Sequence, residues 1–315
     1  MKKDNKQKTD TESPTDPRGN RETFNLAAID IGSNAARLLI KSIERQDGQV
    51  TGMRKSLFLR IPLRLGMDVF ADGRISEERE EEFLRTMKAY KQLMKVYHVR
   101  RYRACATSAM RDACNGAAII ADAVKATGLK IEVISGDEES QIVYDNHLPY
   151  MTGPDDYLYV DVGGGSTEVT WVSNGEKTFS HSYNIGTIRM LRDKVSESVM
   201  ESMLRDLAEV SSGRAGVTIV GSGGNINKLC RISAKTSDAD SFFPVAELRR
   251  LYDELSQLSV EERMSAYGFK PDRADVIVPA AYIFLSIAER VSARQIMVPK
   301  LGLADGIIND LLLVV

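Results

Sequence analysis

Short hydrophobic runs alternate with longer amphipathic segments along this chain, which predicts strands interleaved with helices. Strands are predicted at residues 24–29, 36–43, 102–106, 130–134, 157–162, 168–173, 217–220 and 296–298. Helices are predicted from Ser76 to Tyr97, at residues 117–126, 137–146, 274–288 and 303–313, and in a shorter segment that runs through Leu229. Ser76 fits a helix N-cap, Gly128 a helix end and Pro279 a kink. This alternation favours sheets that are flanked by helices.

One strand–turn–strand pattern occurs twice in the sequence. Residues 27–34 are Ala-Ala-Ile-Asp-Ile-Gly-Ser-Asn, and residues 158–166 are Leu-Tyr-Val-Asp-Val-Gly-Gly-Gly-Ser. Glycine lets backbone N–H groups approach a ligand, and serine adds a hydroxyl donor. Asp30 and Asp161 each offer oxygen to a metal ion. Two such turns facing each other would hold a phosphate chain from both sides, although the first turn alone is equally compatible with a plain hairpin.

Two further segments follow predicted strands and have two explanations each. Residues 221–225, Gly-Ser-Gly-Gly-Asn, open a helix whose N-terminus would attract an anion, and a turn packed closely against a neighbour would give the same pattern. Thr107 and Arg111 follow the strand at residues 102–106. They would either bind an anion or only cap a helix and face the solvent.

An acidic cluster begins the helix predicted at residues 137–146, with Asp137, Glu138 and Glu139 in succession. The helix dipole alone explains acidic residues at a helix N-terminus. A carboxylate beside a bound phosphate would also serve as the general base for a water nucleophile. The residues themselves leave both explanations open.

The composition restricts the partners and the setting of such a site. The 315 residues include 42 Lys and Arg against 44 Asp and Glu, so a net charge of −2 gives no reason to expect nucleic acid or an anionic membrane as a partner. No apolar run reaches the ~18 residues that a membrane span needs. Three widely spaced cysteines favour the cytoplasm.

The composition also changes along the chain. Residues 1–22 predict a disordered tail, and the Pro-, Gly- and Asp-containing residues 149–156 predict a domain boundary.

Five segments, taken in order, make the chain similar to a known family. They lie at residues 28–34, 106–111, 134–139, 160–168 and 221–225. On these segments, the chain from about Phe24 to its C-terminus resembles the exopolyphosphatase/guanosine pentaphosphate phosphohydrolase (Ppx/GppA) family in its short form. The glycine-rich loop that ends at Glu168 and the Gly-x-Glu-Glu segment at residues 136–139 are the most specific of the five.

The resemblance implies an α/β fold of two actin-like (ribonuclease H-like) domains with an interdomain cleft. Domain I would comprise residues 23–148 and a C-terminal helix at 300–315, and domain II residues 149–299. The implied reaction is hydrolysis of a terminal phosphate of inorganic polyphosphate or guanosine pentaphosphate, with Mg²⁺ as the cofactor. In the family, the second Glu of the Gly-x-Glu-Glu segment is the base, here Glu139, and the Glu that closes the glycine loop, here Glu168, is also catalytic.

The motifs and the resemblance together predict one site between the two glycine turns. Mg²⁺ is expected beside Asp30, Asp161 or Glu168. The expected substrate-binding residues are Gly32, Ser33, Asn34, Thr107, Arg111, Gly163, Gly164, Gly165, Ser166, Thr167, Gly223 and Asn225. The expected partners are the polyphosphate or guanosine pentaphosphate substrate and a second copy of the chain in a homodimer.

Three residues depart from the family pattern. Asn225 stands where the family usually has Thr, Arg37 where one branch has His, and Ser140 where a small Ala or Gly is usual. We expect these departures to affect the choice of substrate more than the hydrolysis itself. Arg37 would either add a phosphate contact or be a solvated hairpin residue, and we expect the latter.

Two other functions share parts of this pattern. An ATP-dependent sugar or acetate kinase has the same fold and would need an acceptor pocket and a nucleotide clamp. A non-catalytic sensor would bind guanosine polyphosphate or polyphosphate without cleaving it. The presence of both Glu139 and Glu168 favours the hydrolase over the sensor.

Overall fold

The structure of the chain is a computed structural model that describes residues 21–147, 151, 155–214, 216–233 and 242–314. The strands in this part of the chain are β1 (Arg21–Ile31), β2 (Ala36–Gln46), β3 (Gln49–Ile61), β4 (Val99–Ala106), β5 (Glu132–Val133), β6 (Tyr157–Val162), β7 (Thr167–Ser173), β8 (Glu176–Tyr183), β9 (Thr218–Ser222), β10 (Phe242–Pro244) and β11 (Gln295–Met297). The helices are α1 (Leu65–Asp72), α2 (Glu77–Val96), α3 (Ser108–Asp112), α4 (Gly116–Thr127), α5 (Gly136–His147), α6 (Thr187–Leu191), α7 (Glu197–Val210), α8 (Gly224–Ile232), α9 (Val245–Gln257), α10 (Val260–Tyr267), α11 (Pro271–Ala274), α12 (Ile277–Arg290) and α13 (Leu303–Leu313).

The first sheet has the strand order β3-β2-β1-β4-β5. β1 and β2 form an antiparallel hairpin in which Ile31 lies opposite Ala36, and β3 extends this hairpin. β4 and β5 then add in parallel. Because β1 and β4 run in the same direction, the turn after β1 lies beside the residue that follows β4, and the Thr107 amide donates to the Ile31 carbonyl at 3.1 Å.

The second sheet repeats this topology in the order β10-β11-β9-β6-β7-β8. β6, β7 and β8 form an antiparallel meander, β9 and β11 add in parallel, and β10 is an additional edge strand. Asn174 and Gly175, at φ values of 51° and 79°, make the tight turn between β7 and β8. The predicted α/β class is confirmed, and two sheets of this order give the actin-like, ribonuclease H-like fold.

Two helices, α5 and α13, lie between the sheets. α5 follows the first sheet in sequence but packs on β7 and β8, whereas α13 follows the second sheet and packs on β1, β2 and β4. Leu26 of the first sheet, Tyr159 of the second and Ile307 of α13 belong to one hydrophobic cluster. α5 and α13 also touch closely, because a Cβ atom at Gly306 would lie 2.6 Å from the Ile142 carbonyl oxygen. The two halves are thus joined by exchanged helices.

The two predicted helix ends agree with the structure, whereas the predicted kink does not. The Ser76 hydroxyl accepts from the Arg79 amide at 3.4 Å at the start of α2, and Gly128 ends α4 in the left-handed conformation. Pro279 lies in the first turn of α12, which begins at Ile277. The amide that proline lacks has no helical partner in a first turn, so Pro279 is part of a helix start and not a kink in a helix from residue 274.

The predicted tail and domain limits are only partly described. β1 begins at Arg21, so residues 21 and 22 pair with β2 and are not part of a tail, whereas residues 1–20 lie outside the described residues. The predicted domain boundary at residues 148 and 149 also lies outside them, and the domain limits stay a prediction. Among the helices of the described segments, none combines the length and the apolar character that crossing a bilayer requires.

The close crossing of α5 and α13 predicts that Gly306→Val destabilises the fold. The new side chain would collide with the Ile142 carbonyl, and overpacking of this kind costs about 1–3 kcal/mol. Denaturant unfolding measures the loss. Leu313→Val is the matched control, because Leu313 lies in the same helix and is 86% exposed. Equal stabilities of the two variants would contradict the importance of this contact.

Candidate active site

The two glycine turns have the same internal hydrogen bond. The Gly32 amide donates to the Ala35 carbonyl at 3.1 Å, and the Gly163 amide donates to the Ser166 carbonyl at 3.0 Å. Each turn joins two antiparallel strands, β1 to β2 and β6 to β7. The repeated sequence therefore folds into a repeated local structure.

The two turns lie directly against each other. A Cβ atom at Gly164 would lie 3.0 Å from the Ser33 Cβ, and one at Gly165 would lie 2.4 Å from the Ser108 Oγ. The Ser33 and Ser108 hydroxyls are themselves hydrogen-bonded at 2.8 Å. A side chain at either glycine would push the two halves apart, so the close approach explains why glycine occupies these positions.

A cavity of about 300 Å³ lies between the turns and is lined by residues from both halves. Asp30 and Asp161, which end corresponding strands of the two sheets, share this cavity. The predicted site residues that line it are Asp30, Gly32, Ser33, Asn34, Thr107, Glu139, Asp161, Gly163, Gly164, Ser166 and Gly223. The geometry therefore gathers most of the predicted residues around one space.

The other predicted site residues lie behind the cavity wall; they are Arg111, Gly165, Thr167, Glu168 and Asn225. Thr167 is fully buried, and its hydroxyl donates to the Ile185 carbonyl at 2.6 Å. Asn225 is also buried, and its Oδ1 accepts from the Arg273 guanidinium. Both side chains support the wall of the cavity, and direct phosphate binding by either stays a prediction.

Glu168 and Arg111 are held by protein contacts next to the cavity. Glu168 is buried in β7, and its Oε1 accepts from the Ser182 hydroxyl at 2.8 Å. The Arg111 Nη1 donates to the Ile134 carbonyl at 2.8 Å. Arg111 is close enough for its charge to act on Glu168 and Glu139, so it offsets part of their negative charge. A phosphate contact by Arg111 stays a prediction.

Four carboxylates lie close enough for their charges to interact at one end of the cavity: Asp30, Glu139 and Asp161 line it, and Glu168 lies behind its wall. Burial raises the pKa of Glu139 well above its ordinary value, and the charges of Glu168, Asp161 and Asp30 raise it further. Burial, with the charge of Asp161, raises the pKa of Glu168 to about 7. Burial likewise raises the pKa of Asp161 to about 6, although a nearby arginine opposes this shift. Proton uptake is thus unusually favourable at this end of the cavity.

Glu139 differs from the acidic residues beside it in sequence. Glu139 lines the cavity, and its Oε2 is buried with no hydrogen-bond partner among the described residues. Glu138 is exposed and accepts from Arg103 at 2.5 Å. The helix dipole and a surface ion pair therefore explain Glu138, whereas Glu139 has an oxygen that a ligand or a water molecule must satisfy.

Arg37 was expected to be a solvated hairpin residue, and this expectation is wrong. It lies opposite Asp30 in the hairpin, and its Nη1 donates to the Asp30 Oδ2 at 2.5 Å. The charge of Asp30 raises the pKa of Arg37. The hairpin register that the turn imposes places position 37 opposite position 30, so this pair was accessible to sequence reasoning.

The other end of the cavity is basic. The cations that line this end are Lys55, Arg60, Arg273 and Lys300, and Arg37 lies between Asp30 and Arg60 in the sheet register. Arg60 donates to Asp272 at 2.5 Å. Burial, with the charges of Arg60 and Arg37, lowers the pKa of Arg273 to about 10. Sequence reasoning missed all of these except Arg37, because they come from β3 and the C-terminal third of the chain and only the tertiary fold brings them together.

The acidic end of the cavity suits a hard divalent cation. Mg²⁺ prefers oxygen ligands and often uses one or two carboxylates together with substrate phosphates. In the described segments, no three His, Cys, Asp or Glu side chains are grouped so as to hold a metal ion by themselves. Asp161 and the unpartnered oxygen of Glu139 fit such a partial ligand set, whereas Asp30 is already paired with Arg37.

Paired glycine turns, buried carboxylates and a basic wall between two actin-like halves are the features of a phosphate-handling protein. Comparison with known proteins agrees with this class. The family model described as "Ppx/GppA phosphatase family" matches residues 57–314, and the chain therefore belongs to this family.

Individual relatives match along almost the whole chain. Exopolyphosphatase 2 of Mycobacterium tuberculosis (strain CDC 1551 / Oshkosh) is 29% identical over 90% of this chain and 97% of that protein. The crystal structure of the Aquifex aeolicus member of the Ppx/GppA family is 26% identical, with a TM-score of 0.72 over 93% of this chain and 98% of that one. An exopolyphosphatase from Cytophaga hutchinsonii, at 22% identity, shares the fold with a TM-score of 0.79 over 92% of this chain and 98% of that one.

The raised pKa of Glu168 predicts that the fold loses stability as the pH rises from about 4.5 toward about 7. Over this range the folded chain holds the Glu168 proton while the unfolded chain releases it, so a rising pH favours unfolding. Glu168→Gln removes this ionisation. We expect the variant to be close to wild type at pH 5 and about 1–3 kcal/mol more stable at pH 8, measured by denaturant unfolding.

The control is Glu176→Gln, which removes a carboxylate at an exposed position of β8. We expect this variant to follow the wild-type dependence of stability on pH. A Glu168→Gln variant that is no more stable than wild type at pH 8 would show that the buried carboxylate carries no penalty.

Proposed function

We propose that this chain hydrolyses the terminal phosphoanhydride bond of inorganic polyphosphate or of guanosine pentaphosphate by attack of water. The observation that carries the proposal is the buried, unpartnered Oε2 of Glu139 in a cavity between two glycine turns. Membership in a phosphatase family and the name of the Mycobacterium relative support the same chemistry.

The two glycine turns bind the phosphates near the reacting end. Ser33 and Asn34 of one turn and Gly164 and Ser166 of the other line the cavity, and we assign their backbone amides to the phosphates, because the Gly32 and Gly163 amides already donate within their own turns. The hydroxyl pair of Ser33 and Ser108 adds one further donor. The cations at the basic end bind the phosphates farther along the substrate. With the rest of the substrate held at the basic end, the terminal phosphate lies beside Glu139, and water attacks this last phosphate of the chain.

Glu139 positions the attacking water and accepts its proton. As the water oxygen bonds to the terminal phosphorus, the bond from this phosphorus to the bridging oxygen breaks, and the shortened substrate leaves with that oxygen. The raised pKa makes ionised Glu139 a stronger base than an ordinary carboxylate. The remaining contribution comes from positioning and from charges arranged before the reaction begins.

Asp161 is the residue we assign to hold Mg²⁺, with Asp30 and Glu168 nearby. When bound, Mg²⁺ neutralises charge on the terminal phosphate. We place the reaction in the cytoplasm, since none of Cys105, Cys114 and Cys230, all within the described residues, forms a disulfide. A homodimer stays a prediction.

Replacing the proposed base tests the assignment directly. Glu139→Gln keeps the shape of the side chain and removes its basicity, so kcat is expected to fall about 10²–10⁴-fold. Phosphate release is measured with polyphosphate and with guanosine pentaphosphate side by side. The matched control is Glu138→Gln, which changes the adjacent exposed carboxylate and is expected to keep kcat within about twofold of wild type. A Glu139→Gln enzyme with nearly normal turnover would refute the role.

Removal of divalent cations tests the metal assignment. We expect chelation to abolish phosphate release and added Mg²⁺ to restore it, because the carboxylates and the substrate are all negative. Asp161→Asn is expected to raise the Mg²⁺ concentration needed for half-maximal rate by about tenfold or more. Full activity in the chelator, or an unchanged Mg²⁺ requirement in the variant, would contradict the assignment.

A further inference from the structure

The acidic and basic ends of the cavity determine where the rest of the substrate lies. With the terminal phosphate beside Glu139, the remainder extends to the basic end, where Lys55, Phe58 and Arg60 of β3 line the wall. The groups that β3 presents there decide which kind of remainder gains binding energy. Phe58 is the residue of the three without charge or hydrogen-bonding capacity in its side chain.

A β-bulge directs two side chains of β3 to the cavity. Leu57 pairs with Ile40, whereas Lys55 pairs with the adjacent Lys41, which leaves the residue between Lys55 and Leu57 unpaired. In a regular strand, side chains three positions apart face opposite sides. The bulge places Lys55 and Phe58 on the same face instead, and both line the cavity.

About half of the Phe58 ring is exposed. Its cross-strand neighbour Leu39 is 1% exposed within the cluster that includes α13, whereas Phe58 is 51% exposed because β3 is the edge strand. The Lys55 Nζ lies 5.5 Å from the centre of the ring. An open aromatic face beside a cation and next to phosphate-binding groups is suited to stacking on a nucleobase.

We propose that Phe58 stacks on a nucleobase at the basic end of the cavity and thereby favours nucleoside polyphosphates over inorganic polyphosphate. The inference rests on the proposed hydrolase function and specifies its substrate class. An inorganic polyphosphate chain has no apolar surface and gains nothing from a phenyl ring, whereas every nucleobase has a flat face that does. Phe58 is therefore a specificity-determining residue and has no part in the chemical step.

The test compares two ligands that differ in the presence of a base. The dissociation constants of guanosine pentaphosphate and of inorganic tripolyphosphate are measured by calorimetry in the Glu139→Gln enzyme, which retains the ligands uncleaved. The preference is the ratio of the tripolyphosphate dissociation constant to the guanosine pentaphosphate dissociation constant. When Phe58→Ala is added to the Glu139→Gln enzyme, this ratio is expected to fall about tenfold or more, which corresponds to the binding free energy of one base–aromatic stack. Phe58→Tyr keeps an aromatic face and is expected to keep the preference.

Val50→Ala is the matched control, since Val50 is 44% exposed on the same strand and lies outside the cavity lining. It should leave the preference unchanged. Equal weakening of both ligands by Phe58→Ala, no weakening, or no measurable binding of the guanosine ligand would overturn the stacking site. Phosphate release from polyphosphate by the wild-type enzyme is assayed separately, so failure of the stacking site and failure of the proposed hydrolysis are distinguished.

Discussion

Four carboxylates gathered at one cavity, two of them buried and two half-buried, are the constraint on which the site depends. Asp30 and Glu139 come from the first half of the chain, and Asp161 and Glu168 from the second. Burial and mutual repulsion disfavour the ionised forms of Glu139, Asp161 and Glu168, and the raised pKa values of these three reflect this cost. Such an arrangement is kept where the chemistry needs it, because a polar or apolar filling of the same space would be more stable.

Contacts between the two halves of the fold hold the carboxylates together despite their mutual repulsion. The exchanged helices α5 and α13 share one hydrophobic cluster with both sheets. Arg60 pairs with Asp272, and Asp112 with Arg189, so ion pairs also join the first half of the chain to the second. Because Glu139 lies in the first turn of α5, the helix that connects the halves also fixes the position of the proposed base. α5 therefore contributes both to the packing of the two halves and to the proposed catalytic site.

The sequence predicts much of the fold because the informative patterns are local. The repeated turns, the Ser76 cap and the Gly128 helix end each involve only a few neighbouring residues. β3 was missed because charged and polar residues and a bulge interrupt its alternation. Without β3, sequence reasoning had no reason to place Lys55, Phe58 or Arg60 near the site.

Some site residues can likewise be predicted from local patterns, whereas the contacts of others depend on the tertiary fold. Asp30, Glu139 and Asp161 belong to short motifs, and their place in one cavity follows from the duplicated topology. Spacing alone does not show that Thr167 turns its hydroxyl to a backbone carbonyl, since that depends on packing against the loop after β8. The partners of Asn225 and Arg60 likewise come from α11 and its vicinity, more than 40 residues away in sequence.

The most direct measurement is the titration of the Glu139 carboxyl by carbon NMR, with Glu139→Gln to assign the signal. We expect Glu139 to titrate well above the ordinary glutamate range and to move toward it when Glu168→Gln removes one neighbouring charge. Titration of Glu139 in the ordinary range, unchanged by Glu168→Gln, would contradict a buried and mutually repelling carboxylate cluster as the basis of this site.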